Sequence, residues 1–331
     1  MSTKYTALVE TVESKALRGN RPGDPTQREL PLLVPEGHDP KRPVPIVFVL
    51  AGYTGIGRMA LQDDPWSEGL QRRVERLANA GEIGPMIYAL PDAWTVYGGS
   101  QYLDSGATGS YERYLWEDLL PSVKARFSIS RVGVMGKSSG GYGALVQGIR
   151  HPEIVSAVAC HSGDVAFEYC YLHDFPKAVR SFSRHGGLDG FLSHFAAVQK
   201  KRDGRLIDTM NVIAMAACYS PDESAPRGFR LPFDETTGAL DEKVWSAWLE
   251  KDPLRMIETA PAQEALRSLR LLFLDAGTRD EYHLDIGARI LAARLRSLCI
   301  PHLHEEFDDG HMSVTYRYDR SLPLLWNALK D

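Results

Sequence analysis

Apolar residues along this chain gather into short, mainly apolar runs separated by longer stretches of helical period. Pro45-Ile-Val-Phe-Val-Leu-Ala51, Met86-Ile-Tyr-Ala-Leu90, Val132-Gly-Val-Met135, Val155-Ser-Ala-Val-Ala-Cys160 and Leu269-Arg-Leu-Leu-Phe-Leu-Asp-Ala-Gly277 are the clearest. Runs of this length, rich in β-branched residues, predict strands buried on both faces, as in a parallel sheet covered by helices. Weak alternation over residues 5–14 predicts an edge strand. Arg28 to Val34 predicts its neighbour, and His302 to Phe307 a last strand. Helical spacing over residues 67–80, 111–127, 284–298 and 321–329 supplies the covering layers. The fold class expected is α/β: a mostly parallel central sheet with helices on both faces, as one domain over residues 1–331.

The pattern changes between Ala166 and Thr259. Aromatic clusters, Pro-rich turns and helical segments (188–200, 208–218, 241–251) replace the strand runs. An insertion between two strands of such a sheet commonly sits over the active edge, so residues 166–259 are expected to form a mainly helical cap that shapes a pocket. A peripheral decoration remote from the site is the structural alternative.

Candidate chemistry concentrates at strand ends. Gly136-Lys-Ser-Ser-Gly140 follows a predicted strand and opens a predicted helix. A serine hydroxyl is a weak nucleophile until it is exposed, aimed and given a base. A sharp strand-to-helix turn with flanking glycines would present Ser138 in that way. A turn that only joins strand to helix is the bland reading. Ser139, the rival serine, occupies the variable position of the motif. Gly52-Tyr-Thr-Gly-Ile-Gly57 ends an earlier strand and is read as an oxyanion loop, with the N–H groups of Tyr53 and Ser139 as donors. A plain turn is its alternative. Trp94, Tyr97 and Tyr102, in the loop after the 86–90 strand, are candidates for lining a substrate pocket or for packing that loop onto the core.

A base and an acid should follow in the order Ser, Asp or Glu, His. Asp280 lies just past the 269–277 strand, and His311 follows the last strand after Gly310. Asp275 and Glu281 are rival acids, Asp275 being read as a brace for the loop. His283, His302 and His304 are rival bases. His161, at the end of the 155–160 strand, is read as structural. His302 and His304 share a strand face and could ligate a metal, but no His-Glu-x-x-His run or Cys/His cluster accompanies them, so neither metal nor organic cofactor is expected.

Composition narrows the partners. The chain has 331 residues and a formal net charge of -5, which offers no basic field for nucleic acid or an anionic membrane surface. Cys160, Cys170, Cys218 and Cys299 have no C-x-x-C spacing and read as buried free thiols. No stretch is long enough to span a bilayer, and no apolar core of signal-peptide length opens the chain, so a cytoplasmic location is expected. A homo-oligomer stays open.

These motifs resemble the putative-esterase family of α/β-hydrolases, which includes S-formylglutathione hydrolases, feruloyl esterases and enterochelin esterases. The resemblance covers most of the chain. It rests on Leu17 to Pro25 as entry segment, Leu50-Ala-Gly-Tyr-Thr-Gly55, Gly136 to Ala144, Gly277-Thr-Arg-Asp-Glu281 and Asp309-Gly-His311. Ala51 stands where many members carry His, and no Cys follows Thr54, which speaks against a glutathione thioester. The resemblance implies Ser138 as nucleophile, Asp280 as acid, His311 as base and a small-molecule ester as substrate. The expected activity is a serine carboxylic-ester hydrolase working through an acyl-enzyme. An acyltransferase with the same triad and a non-catalytic binding protein on the same scaffold are the alternatives.

Overall fold

The computed structural model describes residues 3–201 and 203–330. Eight strands form one sheet: β1 (Tyr5–Glu13), β2 (Gln27–Pro35), β3 (Val44–Leu50), β4 (Ile87–Ala89), β5 (Ile129–Lys137), β6 (Val155–His161), β7 (Leu271–Gly277) and β8 (Leu303–Phe307). Their order is β1-β2-β4-β3-β5-β6-β7-β8. The β1–β2 and β2–β4 pairs are antiparallel, and every pair from β4 through β3 to β8 is parallel.

The continuous apolar runs are explained by burial on both faces. Along β3, Val44, Ile46, Phe48 and Leu50 enter one core, and Val47 and Val49 enter the other. Val132 and Val134 of β5 follow the first set, and Met135 the second. That split is the period-two alternation of a pleated strand, with apolar side chains on both sides.

Helix α1 (Leu70–Asn79) contributes Leu70, Val74 and Leu77 to the second core. The 111–124 helix and α2 (Ser139–Arg150) cover the first. The 111–124 helix widens into a π-helical turn over Tyr114–Leu119. Pro121 has no N–H to give the Glu117 carbonyl, so an unbroken α-helical ladder cannot form there.

Between β6 and β7 the chain builds α3 (Phe175–His185), α4 (Leu188–Ala197), α5 (Gly204–Tyr219), α6 (Glu242–Leu249) and α7 (Ala260–Ser268). Within residues 166–259 the only β pairing among described residues is two isolated bridges, Pro221 with Phe229 and Phe233 with Leu240. This region has its own aromatic core, including Phe175, Phe182, Phe191, Trp245 and Trp248, which joins Tyr142 and Val146 of α2. Asp252 ties its entrance to its exit. Its carboxylate accepts the N–H groups of Ala166 (3.1 Å), Phe167 (2.8 Å) and Leu254 (2.9 Å). Helices α8 (Leu284–Ser297) and α9 (Tyr318–Leu329) complete the layers.

Three cysteines are buried free thiols, but Cys299 is exposed. It lies in the turn after α8, with φ 53°, where the chain leaves the helix for β8. Among the described residues no helix is long and apolar enough to cross a membrane.

Candidate active site

The turn after β5 is the sharpest feature of the backbone. Ser138 has φ 59° and ψ -129°, which costs a non-glycine residue roughly 1–3 kcal/mol. Two main-chain bonds hold it there. Ser138 N–H donates to the His161 carbonyl (2.9 Å), and Tyr142 N–H donates to the Ser138 carbonyl (2.9 Å). The flanking glycines are required by close packing. A Cβ on Gly136 would strike the Gly140 carbonyl, and one on Gly140 would strike the Leu50 carbonyl. The loop after β3 therefore lies directly against the turn. A Cβ on Gly52 would come within 3.5 Å of Ser138 Cβ.

That loop offers a free donor. Neither the Tyr53 N–H nor the Ser139 N–H, the first of α2, has a protein acceptor among the described residues. Unspent N–H groups at a helix start are what an anion seeks. Tyr53 is anchored through its hydroxyl, which donates to the Tyr97 carbonyl (2.9 Å). Tyr102 O–H donates to the Ala51 carbonyl (2.8 Å) from behind the loop.

β7 and β8 end side by side, which brings their two loops together. Thr278 N–H donates to the Phe307 carbonyl and Arg279 N–H to the Asp309 carbonyl, each at 2.9 Å. His311 Nδ1 lies 2.8 Å from Asp280 Oδ2, and both residues are buried. Burial opposes ionisation of Asp280. The hydrogen bond and charge of His311, with the N–H groups of Tyr282 (2.9 Å) and Leu284 (3.5 Å), outweigh it and hold the carboxyl below its usual range. An ionised Asp280 accepts a hydrogen bond from Nδ1–H, which keeps the proton on Nδ1 and leaves Nε2 of His311 as the acceptor. Glu281 serves the backbone instead, accepting the His311 N–H (2.7 Å).

The remaining rivals are used elsewhere. Asp275 and His161 pair with each other at 2.7 Å. His161 Nε2 lies 2.8 Å from Ser321 Oγ, and Arg317 Nε donates to Asp275 (2.8 Å). His283 heads α8 and packs edge-on against His173. His302 Nδ1 bonds the Ile300 carbonyl (2.9 Å), and burial lowers the pKa of His304.

Ser138, Ser139, Tyr53, His311 and Lys137 line one cavity of about 600 Å³. Burial pushes the Lys137 ammonium pKa down, against the attraction of Asp280 and Glu281. Its aromatic lining is Tyr53, Tyr171, Tyr282 and Tyr318. Trp94, Tyr97 and Tyr102 lie outside that lining. Trp94 is 37% exposed in a two-stranded ribbon, Tyr97 packs against Phe229, and Tyr102 is buried beneath the 51–57 loop. The region between β6 and β7 supplies Asp164, Cys170, Tyr171, Asp174, Ile207, Asp208 and Asn211 to the wall. None of these carries a motif.

Asp164 is a buried acid that sequence reasoning passed over. Its Oδ2 accepts from Gln101 Nε2 (3.0 Å), Tyr171 O–H (2.9 Å) and Ser139 O–H (3.3 Å). Burial pushes its carboxyl up despite those bonds.

Comparison with known proteins agrees with this architecture. No curated protein sequence matches the chain. Among solved structures it is similar to a ferulic acid esterase, with TM-score 0.62 and 18% identity, covering 98% of this chain and 99% of that one. It is similar to the fluorophosphonate-binding serine hydrolase F of Staphylococcus aureus, with TM-score 0.60 and 13% identity over 99% and 100% of the two chains. The S-formylglutathione hydrolase of Agrobacterium tumefaciens gives 0.58 and 14% over 98% and 96%. These similarities place the chain in the α/β-hydrolase fold. The family described as Putative esterase matches residues 25–317, so the chain belongs to that family and is an enzyme of the esterase type.

Proposed function

We propose that this protein hydrolyses carboxylic esters of small molecules through an acyl-enzyme on Ser138. In this mechanism Ser138 Oγ attacks the ester carbonyl carbon while His311 Nε2 takes the hydroxyl proton. The N–H groups of Tyr53 and Ser139 receive the oxyanion, and Asp280 fixes the imidazole tautomer and balances the imidazolium. His311 then returns the proton to the departing alcohol. Water, deprotonated by the same imidazole, releases the acid and restores Ser138. The observation that carries the proposal is the meeting, in one cavity, of a strained serine, a carboxylate-paired histidine and two unspent N–H groups. Residues 166–259 act in this reading as a cap on a single domain, because Tyr171, Asp174, Ile207 and Asn211 line the cavity that also holds Ser138 and His311.

Hydrolysis of p-nitrophenyl esters from acetate to octanoate, with a feruloyl ester beside them, tests the proposal. The feruloyl member is included because of the similarity to a ferulic acid esterase. Turnover is expected in the native protein and a loss of about 10³-fold or more in Ser138→Ala, with its melting temperature retained. Equal rates in the two proteins would remove Ser138 from the mechanism. Release of the same acid in an alcohol-rich medium, without transesterified product, separates hydrolysis from acyl transfer.

A further inference from the structure

Resting on that reading, we infer that Asp164 is a substrate-recognition residue, selecting esters with a hydrogen-bond donor, a hydroxyl or an ammonium group, close to the reacting carbonyl. Asp164 is 6% exposed and lines the cavity beside Ser139. All three of its protein donors converge on Oδ2. Oδ1 accepts from no described residue, yet it is not sealed from solvent as the orphaned buried atoms are. The carboxylate is thus fixed by one oxygen and presents the other.

Its neutral partners are themselves fastened. Gln101 Nε2 also donates to the Tyr219 hydroxyl oxygen (2.6 Å), and the Tyr171 and Tyr219 hydroxyl oxygens lie 3.2 Å apart. No Lys or Arg pairs with Asp164 among the described residues. A buried carboxylate without a cation is costly, and it is retained where something else satisfies it. Two more carboxylates, Asp174 and Asp208, stand on the same cap wall and share the half-exposed Lys177. Lys137 also lines the cavity, and the charges that act on it are those of Asp280 and Glu281. A donor on the substrate meets acceptors on the Asp164 side of Ser138.

Position follows from the chain. Ser139 is bonded to the proposed nucleophile and donates its hydroxyl proton to Asp164, so a group that reaches Oδ1 sits only a few bonds from the ester carbon. A site built around such a donor discriminates strongly against the analogue that lacks it, because the buried acceptor is then left unpaired.

The experiment compares methyl butanoate, methyl 2-hydroxybutanoate and methyl 2-aminobutanoate by pH-stat, each rate divided by its rate with hydroxide. The native enzyme is expected to favour one or both substituted esters by about 10-fold or more in kcat/KM. A larger gain for the amino ester identifies an ammonium site, and a larger gain for the hydroxy ester a hydroxyl site. Asp164→Asn keeps the shape but presents an amide N–H₂ or a competing carbonyl, so the preference should fall at least 10-fold. The same three esters titrated into Ser138→Ala by calorimetry repeat the comparison without turnover, and without Asp164→Asn should that variant fail to fold. No preference in the native enzyme and in the titration, or a preference that Asp164→Asn leaves intact, overturns the assignment. Absence of turnover on all three, with the binding preference present, overturns the hydrolase reading and leaves this one standing.

Discussion

Two histidine–carboxylate pairs stand at the same edge of the sheet, and the cavity reaches one of them. Ser321, His161 and Asp275 have the residue types of a catalytic triad and its spacing, 2.8 Å and 2.7 Å. All three are buried and none lines the cavity. Their work is positional: the His161 carbonyl receives the Ser138 N–H, so the ring's bonds hold the strand end that holds the turn. The Asp280–His311 pair has the same chemistry with access. Substituting each acid by Asn therefore separates two effects. Asp280→Asn should lower kcat by on the order of 10³–10⁴, because the imidazole loses its fixed tautomer, with little change in melting temperature. Asp275→Asn should cost on the order of 3 kcal/mol of stability, because an amide cannot serve both His161 and Arg317. Its activity below the melting range should stay within about 10-fold of native. Kinetics and thermal melts on the two purified variants decide this, and the reverse ranking would make Asp275 the acid.

At the scale of elements, the strands are legible because a doubly buried strand must be mainly apolar, as β3 is throughout and β5, β6 and β7 are over their central residues. The glycine positions of the β5–α2 turn were legible because two carbonyls crowd them. Helix α3 is absent from the sequence reading, although Phe175, Ala178 and Phe182 stand at i, i+3 and i+7 and form its buried face. So is the part played by Asp252, which lies between helices and acts only on main-chain N–H groups. Its burial pushes the carboxyl up to about 6 against the pull of three backbone bonds. The folded pKa is thus above the unfolded one of roughly 3.9, so folding favours the protonated acid. The contribution is fully present below pH 3.9 or so, and it is lost as pH rises through about 6. Asp252→Asn cannot titrate. The melting-temperature advantage of the native protein over this variant should shrink between about pH 4 and pH 7. An advantage that stays level or widens over that range would show that the carboxylate, once ionised, is fully compensated by its three donors.

For the whole molecule, the proposed function draws its chemistry and its selectivity from different stretches of chain. The proposed catalytic groups sit at the ends of β3, β5, β7 and β8, where glycines and spacing mark them in sequence. Part of the pocket wall comes from residues 164–211, which have no motif, because a wall needs only side chains of suitable bulk at the right distance. That is why the candidates Ser138, Asp280 and His311 stand out in the sequence, whereas Tyr171, Ile207 and Asn211 of the cavity lining do not. The division can be tested by changing bulk on the cap alone. Ile207 lies on α5, one turn from its start, and faces the cavity. A tryptophan there adds several ring atoms to a space of about 600 Å³ without touching the strand ends. Ile207→Trp should lower kcat/KM for p-nitrophenyl octanoate by about 10-fold or more relative to acetate, since each displaced methylene forfeits about 0.8 kcal/mol of burial. Acetate turnover should change little, because Ser138, His311 and the two N–H donors belong to other elements. Trp94→Ala, in the ribbon outside the cavity, should leave the chain-length profile as it is. If the profile moves with Trp94 and not with Ile207, the ester's acyl chain runs along the 94–102 loop, and the helices between β6 and β7 are a cover without a share in selectivity.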